Sequence, residues 1–261
     1  TLAMRILMVG DIVGRPGRDV AGSAIPQLRE TLHIDYVIAN GENAARGRGL
    51  TEKTADELFA AGVDVITSGN HIFDIREFVP KLDRKWPVLR PANYPPQVPG
   101  RGVWALKGLT VINLMGRVLM PATVDDPFQI IDKLLADTEP DTSVVIDFHA
   151  EASSEQQALA WYLDGRVAAV VGTHTHVPTA DARLLPAGTA SVGDLGMVGV
   201  RDSIIGDDVD SVVSRFLTGM PTRLPVATGE DGVFNSVLIE IDTNRGIATN
   251  IERIDRELPL W

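Results

Sequence analysis

Short apolar runs and longer helix-spaced stretches alternate along the first part of the chain. Residues 4–10 form an apolar run fit for a buried strand. Pro16 then stands where a first helical residue would, opening a helix toward Leu32 that Pro26 is expected to disturb. A second apolar run covers 35–40. Thr51 is a good N-cap for a helix over 52–61, and Gly62 is a matching stop. A third run covers 63–67. This strand–helix–strand alternation predicts right-handed crossovers and a parallel sheet, with the loops leaving the strands gathered along one edge.

The later pattern is more broken. Residues 74–79 read as a short helix. Residues 86–101 carry five Pro, at 87, 91, 95, 96 and 99, and read as an irregular surface segment. The stretch 74–101 is a candidate small cap. Residues 103–106 and 110–114 flank Lys107-Gly108-Leu109 as a hairpin. Helices are expected at 127–136, 154–163 and 208–217. Strands are expected at 144–148 and at 167–171, the latter bounded by Gly165 and Gly172. Short strands and turns run through Gly199, and residues 233–241 and 247–254 read as an antiparallel pair. Early βαβ units followed by late hairpins predict an α/β fold. The expectation is two mixed β-sheets packed face to face with helices on the outside, in one domain spanning 1–261.

Composition narrows the class. At 261 residues, 44% hydrophobic and 23% charged, the chain has ordinary globular values and ample length for a core. No apolar run approaches the roughly 18–20 residues of a membrane span. The N-terminus lacks the pattern of a signal peptide, and Thr1-Leu2-Ala3 read as preceding a natural start at Met4. There is no Cys, so disulfides and thiolate metal sites are impossible; a reducing cytoplasm is the expected location. A net charge of −11 argues against a broad grip on nucleic acid. A local cationic pocket must therefore come from clustered Arg or from metal ions.

The strand ends carry the chemistry. Gly172-Thr173-His174-Thr175-His176 puts two imidazoles on a loop leaving a buried strand. Gly10-Asp11, Asn40-Gly41-Glu42-Asn43, Ser68-Gly69-Asn70-His71 and Asp147-Phe148-His149 end other strands, so four of the five His sit at such ends. Hard divalent metals in hydrolases take carboxylate, amide oxygen and imidazole. Those types sit here on five loops, at Asp11, Glu42 with Asn43, Asn70, His149, and His174 with His176. One carboxylate can bridge two ions, and two metals roughly 3.5–4 Å apart clamp both the attacking and the leaving oxygen of a phosphoryl transfer. Each piece alone also has a plain reading: a turn residue at Asp11 or Asn70, a solvated Glu42, a satisfied core His149. His33, between a helix and a strand, keeps its plain reading. The pieces gain weight together, because all fall at strand ends of one polarity.

The order Gly-Asp, Gly-Glu-Asn, Gly-Asn-His, His, Gly-x-His-x-His resembles that of the calcineurin-like metallophosphoesterases. Within them it resembles the YmdB-like branch, also through Gly10-Asp11-Ile12-Val13-Gly14, Asp147-Phe148-His149-Ala150-Glu151-Ala152 and Asp194-Leu195-Gly196-Met197. The resemblance implies a four-layer sandwich and a metal-dependent phosphodiesterase acting on cyclic nucleotides such as 2′,3′-cyclic nucleoside monophosphates, by attack of a metal-bound hydroxide. It implies two divalent or transition ions, Fe or Mn. The first would be held by Asp11, Glu42, Asn43 and His176, the second by Glu42, Asn70, His149 and His174. Where the superfamily has a His in its first motif this chain has Val13, and Glu42-Asn43 replaces Asp-Asn or Asp-Arg, both as in the branch. His71 matches the non-ligand His that protonates the leaving oxygen or steadies the phosphoryl group. Ile72 stands where its usual acidic partner would, which leaves Asp74 as the candidate to orient it. Arg46 and Arg48 are either phosphate contacts or solvated loop charges. The rivals are a phosphomonoesterase on the same scaffold and a regulator that holds metal and nucleotide without turnover. Self-association is left open.

Overall fold

The computed structural model describes residues 3–260. Thr1, Leu2 and Trp261 lie outside the described residues. Of the three residues set aside before Met4, only Ala3 is therefore described, and it opens the first strand.

Strand β1 (Ala3–Val9) ends at Gly10, and β2 (Asp11–Ile12) follows directly. Helix α1 (Gly14–Thr31) leads to β3 (Tyr36–Asn40), and α2 (Glu52–Ala60) leads to β4 (Val65–Thr67). β1, β3 and β4 run parallel, as their alternation with helices predicts. Their side chains alternate between two apolar environments. Leu7, Val9, Val37, Ala39 and Ile66 meet Ala21, Ala24, Ile25 and Leu58 of the two helices. Ile6, Met8, Ile38 and Val65 face the other way. Thr51 caps α2 through a reciprocal capping box with Thr54. Helix α1 runs unbroken through Pro26. Both Pro26 and Gly22 are exposed, so water can serve the Gly22 carbonyl that loses its helical donor.

The expected helix at 74–79 is instead a series of i→i+3 turns leading into a 3-10 helix, Val79–Asp83. Pro80, at the start of that helix, has no N–H to give an α-helical ladder, while Phe78 and Leu82 are buried against the α1–α2 core. The second sheet begins with the hairpin β5 (Val103–Leu106) and β6 (Leu109–Met115). Helix α3 (Pro127–Ala136), β7 (Ser143–His149), α4 (Ser153–Tyr162), β8 (Ala169–Thr173), β9 (Arg183–Leu184) and β10 (Ala190–Val192) complete it. Its order is β5-β6-β7-β8-β10-β9, with β6, β7, β8 and β10 parallel. Strand β8 runs past Val171, so Gly172 and Thr173 belong to it rather than bounding it.

Val111, Val145, Ala169 and Val171 pack against Ile6, Met8 and Ile38 of the first sheet. Ile112, Ile146 and Val170 turn outward onto Ile131 of α3 and Leu159 of α4. The layers are thus helices, sheet, sheet, helices, which is the expected sandwich.

The last part of the chain adds β11 (Met197–Val200), α5 (Val209–Thr218), β12 (Asp231–Phe234), β13 (Ser236–Asp242), β14 (Ile247–Arg253) and β15 (Arg256–Pro259). β14 and β13 join the first sheet, whose order is β14-β13-β1-β3-β4. The run 233–241, expected as one strand, is two. Asn235 breaks it, donating from Nδ2 to the Met197 carbonyl at 2.8 Å while its own carbonyl accepts the Gly10 N–H at 3.1 Å. Gly10 has no substitute there, since a Cβ would lie 1.8 Å from the Gly196 oxygen. Beyond this double break, β2 and β12 belong to a third sheet, β15-β12-β11-β2, which continues the first. Among the described residues no helix is long and apolar enough to cross a membrane.

Candidate metal centre and active-site cleft

Glu42 stands where the two main sheets deliver their strand ends. Its loop leaves β3 at Asn40, whose Oδ1 accepts the Glu42 N–H at 3.1 Å. Glu42 Oε1 lies 2.9 Å from Nε2 of His149, the last residue of β7. Gly69 lets that imidazole approach, because a Cβ there would stand 2.0 Å from His149 Cδ2. His174, one residue past β8, brings Nδ1 to 3.0 Å from His149 Nε2. The ligand atoms of Glu42, His149 and His174 all lie within 4.8 Å of one another. Asp11 joins them, its Oδ2 accepting the His174 N–H at 3.1 Å and its Oδ1 standing 3.9 Å from His149 Nδ1.

Each imidazole of the group is held by an acceptor on its outer nitrogen, which assigns the tautomer. Thr173 Oγ1 donates to Asp147 Oδ1 at 2.6 Å, so the same oxygen must accept the His149 Nδ1–H at 2.9 Å. His149 then turns Nε2 inward. His174 Nε2 lies 3.1 Å from Glu151 Oε2 and is the protonated nitrogen, which leaves Nδ1 inward. His176 donates Nδ1–H to the Ile205 carbonyl at 2.7 Å, which leaves Nε2 free. His174 and His176 have φ of 115° and 65°, a backbone region costly for side-chain-bearing residues and concentrated at functional sites. Asp194 pins this loop, accepting the Thr175 and Gly196 N–H groups at 2.9 and 2.7 Å.

Burial and mutual charge set how these groups titrate. Burial pushes the Asp11, Asp147 and Asp194 carboxyls up, Asp194 to about 6. Burial works on Glu42 in the same direction, but His149 and His71 outweigh it and hold the group at about 2. His149 is the reciprocal case: burial works to lower it, and Glu42, Asp11 and Asp147 push it up to about 9. His174 is driven down to about 3 by burial and by His149, and burial lowers His176. Burial thus opposes charge on Asp11, Asp147 and Asp194, while Glu42 and His149 favour each other's charged forms.

Three further oxygens fit a cation. Asp11 Oδ1, Asn43 Oδ1 and Asn70 Oδ1 are buried and accept no hydrogen bond, each at a cost of about 1–3 kcal/mol if left so. The Asn43 amide is oriented by its Nδ2, which donates to the Gly47 carbonyl at 2.9 Å. Carboxylate, amide oxygen and imidazole are the donor set of hard and borderline divalent ions, and such an ion would satisfy these oxygens.

The cluster opens into a cleft of about 770 Å³ lined also by Asn43, Arg46, Arg48, His71, His176 and Ile205. His71 Nδ1 lies 2.8 Å from Asp74 Oδ2, so Asp74 takes the place of the acidic partner absent at Ile72. The structure brings most of the residues expected at the site together. Asp11, Glu42, His149 and His174 touch directly, Asn43, His71 and His176 line the cleft, and Asn70 precedes His71 with its oxygen unpartnered. Asp147, Thr173, Glu151 and Asp194 were not expected as site residues. Asp147 had a signal, since two residues before His149 on a strand is the same face.

The YmdB-like protein family matches residues 7–254. A 2′,3′-cyclic-nucleotide 2′-phosphodiesterase of Bacillus subtilis (strain 168) is 48% identical over 256 residues, covering 96% of each chain. The crystal structure of a hypothetical protein from Thermus thermophilus superposes with a TM-score of 0.92 at 44% identity, over 98% of this chain and 100% of that one. A novel phosphatase from Mycoplasma pneumoniae does so with a TM-score of 0.91 at 31% identity, over 98% and 94%.

Proposed function

We propose, from the premise that the chain belongs to the YmdB-like family, that it is a phosphodiesterase acting on 2′,3′-cyclic nucleoside monophosphates with two divalent ions, Fe or Mn. The reading is supported by the cluster of Glu42, His149 and His174 and by the unpartnered buried oxygens of Asp11, Asn43 and Asn70, all on segments that follow strand ends of the two sheets. Asp11, Glu42, Asn43 and His176 would hold one ion. Glu42, Asn70, His149 and His174 would hold the other, with Glu42 shared. When bound, the two ions supply Lewis-acid charge to the phosphoryl oxygens and make water acidic enough to attack near neutral pH.

The chain's own groups do the rest. Asp74 holds Nδ1 of His71, which leaves Nε2 to give a proton to the departing ribose oxygen. Arg46 and Arg48 line the cleft as exposed cations for the phosphate. Asp147 and Thr173 keep His149 in the tautomer that presents Nε2, and Glu151 does so for Nδ1 of His174. The strands that deliver these groups share the core between the sheets, which supports reading the chain as one domain.

The test is elemental analysis of protein purified without chelator, together with a panel of phosphodiesters and monoesters. Two transition ions per chain and diester turnover are expected. Metal content that stays at one or zero after Mn or Fe reconstitution would sink the two-ion reading. Turnover of monoesters alone would move the assignment to a phosphomonoesterase.

A further inference from the structure

The cleft shares a wall with a second, apolar cavity. This annex, of about 580 Å³, lies between the turn at 204–207 and α5, against Val212 and Phe216. Ile205, Asp207 and Leu224 line both spaces. Ile204 and Asp207 exchange backbone hydrogen bonds of 3.0 Å in both directions, and the two residues between them, Ile205 and Gly206, have φ of 49° and 100°. Two successive positive φ values mark a type I′ turn, whose first central position favours Asn, Asp or Gly; a β-branched residue there is a backbone outlier.

Ile205 does two things at this point. Its carbonyl holds His176 Nδ1–H at 2.7 Å, which any residue's carbonyl would do. Its side chain, 49% exposed, supplies a branched apolar surface between the two cavities, which Asn would not. Beyond it Phe216 is 84% exposed on α5 and offers an aromatic face of the kind on which a nucleobase stacks. The order phosphate, ribose, base along a nucleotide matches the order metal cluster, polar junction at Asp207, apolar annex.

We propose that the annex seats the nucleobase of the phosphodiester, with Ile205 as its inner wall and Phe216 as its stacking face, so that the protein selects base-bearing over base-free substrates. This rests on the phosphodiesterase reading of the cleft. Val209, Val213, Phe216 and Leu217 are exposed along α5 and Met220 just beyond it, which makes a second copy of the chain the competing occupant.

The experiment compares wild type with Ile205→Asn and Phe216→Ala, all Mn-loaded. Binding of adenosine 3′-phosphate and of ribose 3-phosphate is measured by calorimetry. The kcat/KM for 2′,3′-cyclic AMP and for base-free ribose cyclic phosphate is measured beside it, and self-association by light scattering. Asn suits positive φ and keeps the carbonyl on His176, so Ile205→Asn should match or exceed wild type in melting temperature and match it in metal content. Wild type should prefer the base-bearing ligand by about fivefold to a hundredfold, and both variants should lose most of that preference. No base preference in wild type, no detectable binding of either ligand, or an unchanged preference in both variants overturns the inference. Unchanged preference with lost self-association would also overturn it and give the strip to a second copy. A base preference in binding without cleavage of either diester would sink the phosphodiesterase reading and leave the annex standing.

Discussion

The backbone N–H of His71 donates to Glu42 Oε2 at 2.9 Å. Glu42 therefore ties together the proposed metal cluster, through His149 on its other oxygen, and the segment that carries the proposed acid. Gln at this position keeps the shape and loses the charge that two cations need. Glu42→Gln should empty both metal sites and lower diesterase activity by at least about a hundredfold, with an unchanged circular dichroism spectrum. Near-normal activity with a full complement of metal would falsify the bridging role.

The Glu42–His149 pair makes the metal-free protein sensitive to pH. His149 rises on folding from its ordinary value to about 9, so its contribution is fully present below about 6.5 and is lost as pH rises toward 9. Glu42 is held at about 2, so its contribution is present above about 4.5 and is lost as pH falls toward 2. Chelator-treated protein should accordingly lose stability between pH 6.5 and 9, on the order of 3 kcal/mol. A metal must displace the His149 proton, so binding should release a proton and tighten across the same range. Calorimetry in buffers of different ionisation enthalpy measures that proton, and a binding heat independent of buffer would count against the assignment.

Thr173 offers a test of how His149 is held. Its hydroxyl donates to Asp147 and accepts from His149, and Thr67 and Asn40 also donate to Asp147. Thr173→Val leaves a buried carboxylate oxygen and an imidazole N–H without that partner. Metal affinity should fall about tenfold to a hundredfold and stability by about 1–3 kcal/mol. Thr173→Ser should restore both. If Thr173→Ser, which keeps the hydroxyl, stays as weak as Thr173→Val, the hydroxyl bridge from Asp147 to His149 is not what holds the ligand.

The parts of the fold and site that sequence could reveal are those written in period and spacing. The apolar runs behind Asp11, Glu42, Asn70, His149 and His174 have the length of buried strands, and donor groups at their C-terminal ends must converge in an open α/β arrangement. Four features escaped for physical reasons. The break at Asn235 depends on one side-chain amide reaching the Met197 carbonyl inside an otherwise continuous apolar run. The failed helix at 74–79 turns on tertiary burial of Phe78 and Leu82 over i→i+3 turns. The turn at Ile205 opposes local preference outright, since Ile-Gly does not advertise a type I′ turn. The Asp147–Thr173–His149 chain spans two strands, and only pairing in the sheet brings Thr173 beside His149.

His71 separates leaving-group chemistry from phosphate binding. Its Nδ1 is engaged by Asp74 at 2.8 Å and its backbone by Glu42, so the ring is fixed at the cleft wall with Nε2 available. A ribose hydroxyl is a poor leaving group and needs a proton as its bond to phosphorus breaks; a nitrophenolate leaves without one. If His71 gives that proton, His71→Ala should retain both ions and lose about a hundredfold to ten-thousandfold in kcat on 2′,3′-cyclic AMP, but far less on bis-p-nitrophenyl phosphate. Asp74→Asn should show the same substrate bias at smaller size, because it loosens the ring without removing it. Equal losses on both substrates would instead make His71 a phosphoryl-binding group. A fall in metal content would make it a ligand.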